Sequence, residues 1–582
     1  MVFHPPAWVP QLPIDPPDSV TIEQFMTDES FGRRSFSKSR HPFTCGLTGK
    51  SYSWAEMTQR VDFLARAVGK RLGWQPAEGP PWDKVIAVFS LNAIDYMAAM
   101  YVAHRFSGIS TPANAAYSSL ELQHQLTTSG ASAVFTCEAL LETTLKATRA
   151  VKIPDDRVYL IDVPGAPDAA KKAAASHVTV NQLVAEGAKL PALEPVKWVK
   201  GQGARQPAFL CYSSGTSGLP KAVMISHRNV IANVLQLAAY ESVGRKAAGV
   251  DTQVEIGLLP FSHIYGLVVI AHAGSFRGDQ VIVLPRFELE TFLAAIQKYR
   301  IQQLRIVPPI VIRLLRTQDV CSKYDLSSVR FVYTGAAPTG EETINDLRAI
   351  YPKWTIGQGY GMTETSTVVC STSEHDTYDR SSGSLVPGVK AKIIGFDGNE
   401  VTKYDTPGEL LVQGPAVVLG YLNNEKATNE TFVFHEDGRW IRTGDEVLVT
   451  RAPSGNEHLV VVDRIKELIK VKGHQVAPAE LEAHLLTHPA VADTAVIQVP
   501  DDSAGEVPKA FVVRSAAYAS KPEADVARDI AKHVKDHKAP YKWLKGGVEF
   551  IDIIPKSPSG KILRRLLRDQ ERAKARKAGS KL

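Results

Sequence analysis

The sequence predicts an α/β chain (mixed α+β) in two parts, a large multi-subdomain unit over 1–464 and a small α+β domain over 465–582. Three observations carry this. Strand and helix patterns alternate to about residue 350, as in layered α/β folds. From 384 to 462 the texture changes to short strands separated by turns. After Asp463 comes a compact segment of roughly 110–120 residues with helical and strand patterns of its own. At 582 residues the chain is also too long for one ordinary domain.

Taken in order, KVIAVFSL (84–91) is a continuous apolar run, the pattern of a buried strand, and 93–105 follows with helical spacing. SSLELQHQLTTSG predicts a helix capped at Ser118 or Ser119, and SAVFTC another strand. Residues 163–203, rich in Ala, Pro, Lys and Gly, read as a surface excursion. PAFLCYS and AVMISH are both strand-like, so the loop at 213–221 joins two strands. KAKIIG, GELLVQG and HLVVVD are the short strands of the second texture. In the last part PAELEAHLLTH and ADVARDIAKHVKDH read as helices, VADTAVIQV and KAFVV as strands.

Composition narrows the partners. The net charge is +6, yet the segment from Lys561 to Leu582 alone holds nine Lys/Arg against two Asp/Glu. The rest of the chain is therefore close to neutral, and a basic groove for nucleic acid is not expected. The five cysteines (Cys45, Cys137, Cys211, Cys321, Cys370) show neither CxxC pairing nor zinc spacing, which fits a reducing compartment. The Pro-rich start MVFHPPAWVPQLP lacks the pattern of a signal peptide. No apolar run approaches the roughly 18–20 residues of a membrane span; AIDYMAAMYVAHRFSGI carries Asp95, His104 and Arg105 and reads as a core helix.

The stretch SSGTSGLPK (213–221) poses a choice. Its glycines, Gly215 and Gly218, would let backbone N–H groups approach an anion, Ser213, Ser214, Thr216 and Ser217 would add hydroxyls, and Lys221 a charge. It is not the loop of ordinary nucleotide hydrolases, since Ala222 stands where that motif needs Ser/Thr and a strand rather than a helix follows. Alone, it reads equally as a Ser/Gly linker.

Further motifs follow in order: TGAAP (334–338), YGMTET (360–365), WIRTGD (440–445), DRIKELIKVKG (463–473) and PKSPSGK (555–561). With them the chain resembles the superfamily of adenylate-forming enzymes over essentially its whole length. It is most similar to the 4-coumarate–CoA ligase branch, and there to phenylacetate–CoA ligases of filamentous fungi.

The resemblance implies an N-terminal AMP-binding (adenylation) domain, a small mobile C-terminal domain, and a reaction in two halves. ATP and a carboxylate give an acyl-adenylate and pyrophosphate; the thiol of coenzyme A then displaces AMP. By position, the loop Ser213–Lys221 corresponds to the clamp for the departing pyrophosphate. Glu364 matches the Mg²⁺-holding acid and Thr363 a hydroxyl on the α-phosphate. Asp445 matches the ribose-binding carboxylate, with Arg464 as its helper. Gly335, Ala336 and Ala337, with Tyr360, are expected to form the adenine slot. Lys561 matches the lysine that reaches both the attacking carboxylate and the α-phosphate. For the second half, Lys466 occupies the hinge position, Lys470 and Gln475 match residues of the thioester-forming state, and Gly473 gives passage to pantetheine.

His263 in PFSHIYGL matches a residue between acyl pocket and CoA tunnel. Ile264, Tyr265, Val268 and Tyr333 are expected to line the acyl pocket, with Gly335, Gly359, Gly361 and Ser366 shaping it. The stripe IYGLVVIAH otherwise reads as core helix. Tyr333 and Ser366-Thr367 depart from the plant coumarate pattern, so an arylacetic acid stands first. Medium-chain, cinnamic or coumaric acids, a luciferase-like oxidative role and a non-catalytic nucleotide-binding protein are the alternatives. The chain ends in Ser580-Lys581-Leu582, the address read by the peroxisomal import receptor, which implies the peroxisomal matrix.

Overall fold

The computed structural model describes all residues except 77, 166–174, 214–219, 338, 473, 502, 558–559 and 580–582. Ser214, Gly215, Thr216, Ser217 and Gly218 of the loop, Gly473 and the Ser580-Lys581-Leu582 end thus lie outside the described residues.

Two large sheets build the first part. In one, the parallel strands Ile109–Pro112, Val85–Phe89, Ala133–Thr136 and Val158–Leu160 continue the hairpin Pro207–Ser213/Lys221–Ser226. Val85–Phe89 is buried at every position, which explains its unbroken apolar run. The neighbouring helix Ser119–Ser129 starts at Ser118, whose side chain accepts from the Glu121 N–H while Glu121 returns the bond.

The second sheet has nine strands. At its heart Val254–Gly257, Gln303–Ile306, Phe331–Thr334 and Thr355–Met362 run parallel, and Thr367–Ser371 folds back antiparallel on the last. Against it lies Tyr265–Gly274, buried throughout and wound as a π-helix rather than the ordinary helix its pattern suggested. Its packing is intimate: a Cβ at Gly274 would stand 1.8 Å from Glu255 Oε1.

The surface excursion expected at 163–203 is corrected in part. It contains the helix Val180–Gly187, with a Thr179/Gln182 capping box and Val180 and Leu183 buried. Gly187 packs so closely on helix Trp54–Leu72 that a Cβ there would meet the Phe63 carbonyl at 1.7 Å.

A third, antiparallel sheet joins Lys390–Ile394, Gly408–Gln413, Gly438–Arg451, Phe432–His435 and Glu457–Arg464, and Gly438–Arg451, at 14 residues, is longer than the short strands expected here. The last sheet pairs the long strands Val491–Asp501 and Gly505–Arg514, flanked by Ile469–Val471, His474–Val476 and Val548–Phe550. Helices Pro478–Leu485 and Glu523–His537 cover it, and Leu481, Leu485, Val496, Val512, Ile530 and Val534 form a core separate from the main one. All five cysteines are free and buried. Among the described residues no helix is long and apolar enough to cross a membrane.

Candidate functional site

Asp445 and Arg464 face each other across antiparallel strands, with Arg464 Nε 3.6 Å from Asp445 Oδ1. The other carboxylate oxygen accepts from the Tyr360 hydroxyl at 2.6 Å. Gly444, at a φ of 69°, makes the turn that swings Asp445 inward, and its carbonyl accepts from the Ile465 N–H at 3.0 Å. The RTGD turn is thereby tied to the DRIKE segment. Burial pushes the Asp445 carboxyl up, while Arg464, the Tyr360 hydroxyl and Lys561 pull it back down.

Glu364 sits in a short 3₁₀ turn, Thr363–Thr365, at the end of strand Thr355–Met362, and is buried. Its Oε1 accepts from the Tyr421 hydroxyl at 2.9 Å. Lys221, the last residue of the Ser/Gly loop, holds its ammonium 4.9 Å from the centre of the same Tyr421 ring. Ser213 and Lys221 are register partners, so the loop does close a hairpin between two strands. Thr363 is half-buried beside them.

Lys561, which ends the PKSPSGK motif, joins this group. Lys561 N donates to Ser557 Oγ at 3.1 Å, Ser557 N to the Lys561 carbonyl at 2.8 Å, and Gly560 adopts a φ of 82°. Gly560 reaches the first domain, for a Cβ there would touch Val307 at 3.1 Å and Pro309 at 3.6 Å. Burial and then the Arg464 charge push the Lys561 amine down to about 8, against the pull of Glu467, Asp445 and Glu364. Arg564, three residues on, anchors the loop through Glu467 and through Glu482 at 2.6 Å.

His263 opens the π-helix and borders the same group. Its burial and the nearby Lys561 charge push its imidazole down to about 4, so it is neutral at physiological pH. Its Nδ1 accepts from the Tyr265 N–H at 3.2 Å, which leaves the ring proton on Nε2.

Ile264, Tyr265, Val268 and Tyr333 form one buried wall. The two tyrosine rings meet edge-on at 6.3 Å, and the Tyr265 hydroxyl donates to the Tyr333 carbonyl at 3.3 Å. A Cβ on Gly335 would lie 3.1 Å from the Tyr265 ring, and one on Gly359 1.8 Å from the Tyr333 hydroxyl. Gly361 abuts the Thr367 carbonyl instead. Ala336, exposed and at a φ of 69°, and half-buried Ala337 extend from Gly335. Ser366 is turned from this wall: fully buried, it donates to the Ala416 carbonyl at 2.9 Å.

Three expected residues are not brought in. Lys466 is exposed, as are Lys470 and Gln475, which face each other on the small hairpin of the second domain. The Lys470 N–H donates to Glu506 at 2.9 Å.

Tyr421, Glu467 and Arg564 lie among these residues but were not singled out in the sequence. Tyr421 lies far from every motif, in a two-residue strand paired with Lys221–Ser226. Glu467 was legible as part of DRIKE. The sequence also gave no sign of the charged layer behind the wall. Arg305, wholly buried beside Tyr333, pairs with Glu255 at 2.7 Å and Glu241 at 3.1 Å. Arg277 and Arg245 complete the layer through Asp279 at 3.1 and 2.7 Å. Burial pushes the Glu241 carboxyl up, but Arg277, Arg305 and Arg245 together bring it down to about 2. The three arginines are thus matched in number by three carboxylic side chains, Glu241, Glu255 and Asp279.

The AMP-binding enzyme family model matches residues 34–422, and that of the AMP-binding enzyme C-terminal domain residues 480–561. Among similar proteins, the acyl-CoA ligase AFT1-1 of Alternaria alternata is 41% identical over 98% of both chains. The acyl-CoA ligase cm3C of Cordyceps militaris is 39% identical over 98% of this chain and 90% of its own. In fold, the chain superposes on the anthranilate CoA ligase AuaEII at a TM-score of 0.78, with 21% identity over 95% of this chain and 98% of that one. The chain belongs to the AMP-binding enzyme family of the adenylate-forming superfamily, and is an acid–thiol ligase of the acyl-CoA synthetase type.

Proposed function

We propose that the enzyme activates an uncharged aryl acid, an arylacetic acid first, in the two steps of its family, and that the described arrangement is the one used for adenylation. The carrying observation is the convergence of Lys561, Asp445, Arg464, Glu364 and His263, with Lys470 and Gln475 left outside on the solvent side.

In this reading Asp445 accepts the ribose hydroxyls, held in place by Tyr360 and Arg464. Lys561 approaches from the second domain and neutralises the meeting of an anionic carboxylate with an anionic α-phosphate. Lys221 and the Ser/Gly loop take the charge of the departing pyrophosphate. Glu364, with one oxygen fixed by Tyr421, offers the other as a hard oxygen donor, which suits Mg²⁺. Bound there, Mg²⁺ would neutralise phosphate charge. Rotation of the second domain about Lys466 would then withdraw Lys561 and present Lys470 and Gln475 for thioester formation with coenzyme A.

The acid is argued from the wall. Tyr265, Tyr333, Ile264 and Val268 offer aromatic and apolar surface. Behind them the arginines are matched in number by carboxylic side chains, so an uncharged distal end is favoured over a dicarboxylic acid. A panel of acids with ATP, Mg²⁺ and coenzyme A, read as AMP release and thioester, tests this. Phenylacetate is expected to exceed a dicarboxylate of similar length by about 10-fold or more in kcat/KM. The reverse order refutes the assignment of the acid.

A further inference from the structure

Outside this site, the second domain carries an arrangement of side chains that the ligase reaction does not use. On helix Pro478–Leu485, Glu480 and His484 share one face at i, i+4, and His488 lies in the turn after it. On helix Glu523–His537, Asp529, His533 and His537 repeat the spacing. The two stripes face each other. His484 and His533 stack in parallel at 4.3 Å, with His537 5.3 Å from His484 and 5.0 Å from His533. One ring nitrogen from each of these three lies within 4.8 Å of the other two.

The hydrogen bonds decide what each ring offers. His484 Nε2 donates to the His533 carbonyl at 3.3 Å, and His537 Nδ1 donates to the same oxygen at 2.8 Å. The Thr487 hydroxyl donates to the His484 carbonyl at 2.7 Å and so accepts from His533 Nε2 at 2.9 Å. With one proton on a ring, that proton goes to an oxygen and the other nitrogen keeps a lone pair. An oxygen partner on the opposite nitrogen is also what fixes the tautomer of a metal-bound histidine. His488 differs. Its Nδ1 accepts from the Ala490 N–H at 3.2 Å and its Nε2 faces Asp529 at 3.4 Å, so it has no free nitrogen.

We propose that His484, His533 and His537 bind one borderline divalent cation of the Zn²⁺ class, with water completing the coordination. Three neutral imidazoles suit Zn²⁺, Cu²⁺ or Ni²⁺ and disfavour Mg²⁺ and Ca²⁺, which take oxygen ligands. Nitrogens about 2.0–2.1 Å from a tetrahedral ion stand about 3.3 Å apart, so the rings close by roughly 1.5 Å through side-chain rotation. Of the lysines around the cluster, Lys538 and Lys542 share Glu480 at 3.2 and 2.5 Å, which leaves one positive charge over, and Lys532 pairs with Asp536 at 2.6 Å. Binding would add a further link between two helices already joined by the His484–His533, Thr487–His533 and His488–Asp529 contacts. The first of them also docks on the large domain, where Ala483 abuts Gly340 at 3.1 Å from an ideal Cβ and Arg316 bonds the Val491 and Ala492 carbonyls. The cation would therefore brace the docking face of the moving domain.

The test uses the full, tag-free, metal-stripped chain. Co²⁺ titration followed by visible absorption, and Zn²⁺ titration by calorimetry, are expected to saturate at one equivalent per chain. His533→Ala and the solvent-side His537→Gln are each expected to weaken binding by about 100-fold, and the exposed control His435→Ala to leave it unchanged. Excess Zn²⁺ is expected to raise the melting temperature of the wild type and not of His537→Gln. Absence of saturable binding at 100-fold excess metal overturns the proposal, as does binding that survives both substitutions. Since neither residue touches the ligase site, failure here leaves the acid-activation reading intact.

Discussion

The Tyr421 hydroxyl donates to Glu364 Oε1 at 2.9 Å while the Lys221 ammonium lies 4.9 Å from the centre of the same ring. One aromatic side chain thus holds the carboxylate proposed for Mg²⁺ and supports the cation at the end of the Ser/Gly loop. Removing the hydroxyl should free Glu364 without unseating Lys221. A hydrogen bond to a charged group contributes about 1.5–3 kcal/mol. Tyr421→Phe is therefore expected to raise the Mg²⁺ concentration for half-maximal pyrophosphate exchange by about 10-fold or more. An unchanged Mg²⁺ dependence would remove Tyr421 from the site.

The Lys561 amine, brought down to about 8 by burial and Arg464, sets a pH limit. Below pH 8 it is protonated and attracts both anions; above, it turns neutral and the attraction is lost. In the free enzyme, kcat/KM for adenylation is expected to fall about tenfold per pH unit above roughly pH 8. Lys561→Arg, whose guanidinium stays charged above pH 12, should abolish that limb even if its overall rate is lower. His263, brought down to about 4, should give no limb between pH 5 and 8. A profile for Lys561→Arg identical to the wild type would contradict the assignment.

Gly359 is the closest constraint on the acyl wall, since a Cβ there would meet the Tyr333 hydroxyl at 1.8 Å. Tyr333 would have to leave Ser371 Oγ, now 2.8 Å away. Gly359→Ala should lower kcat/KM for arylacetates by about 10–100-fold and change the KM for ATP by less than about threefold, on the scale of a pocket contact. Equal losses for acid and ATP would point to general misfolding instead.

The charged layer behind that wall bears on stability. Arg305 is fully buried between Glu255 and Glu241. Arg305→Met leaves two carboxylates half-stranded, with only Arg277 at 3.1 Å from Glu241 and 3.8 Å from Glu255, and should destabilise the chain by about 3–5 kcal/mol. The triple variant with Glu241→Gln and Glu255→Gln, which removes the stranded charges too, should recover much of that loss in denaturant melts. No recovery would mean that Arg305 acts by packing alone.

Much of this was legible in the sequence because it is local. The Ser118–Glu121 capping box, the apolar run at Val85–Phe89 and the strand–loop–strand around 213–221 all follow from neighbouring residues. Glu364, Asp445, Arg464 and Lys561 could be singled out because each lies inside a short motif. What was missed depends on distant chain segments meeting. Tyr421 reaches Glu364 across 57 residues, and Arg305 reaches Glu255 across 50, with no periodicity to announce either. The helix Val180–Gly187 was hidden by an Ala- and Gly-rich surrounding composition, although its Thr179/Gln182 box is visible in retrospect. The π winding of Tyr265–Gly274 leaves no mark on a stripe that is apolar on every side.

The account stands chiefly on Lys561 serving adenylation alone, with Lys470 and Gln475 waiting outside for the second step. The direct measurement is to assay the two halves separately in Lys561→Ala: pyrophosphate exchange for the first, and thioester formation from supplied acyl-adenylate and coenzyme A for the second. The expected result is an adenylation rate lower by about 10²–10³-fold, near 3–4 kcal/mol, with thioester formation within about threefold of the wild type. Exchange at the wild-type rate, or equal losses in both halves, would contradict it.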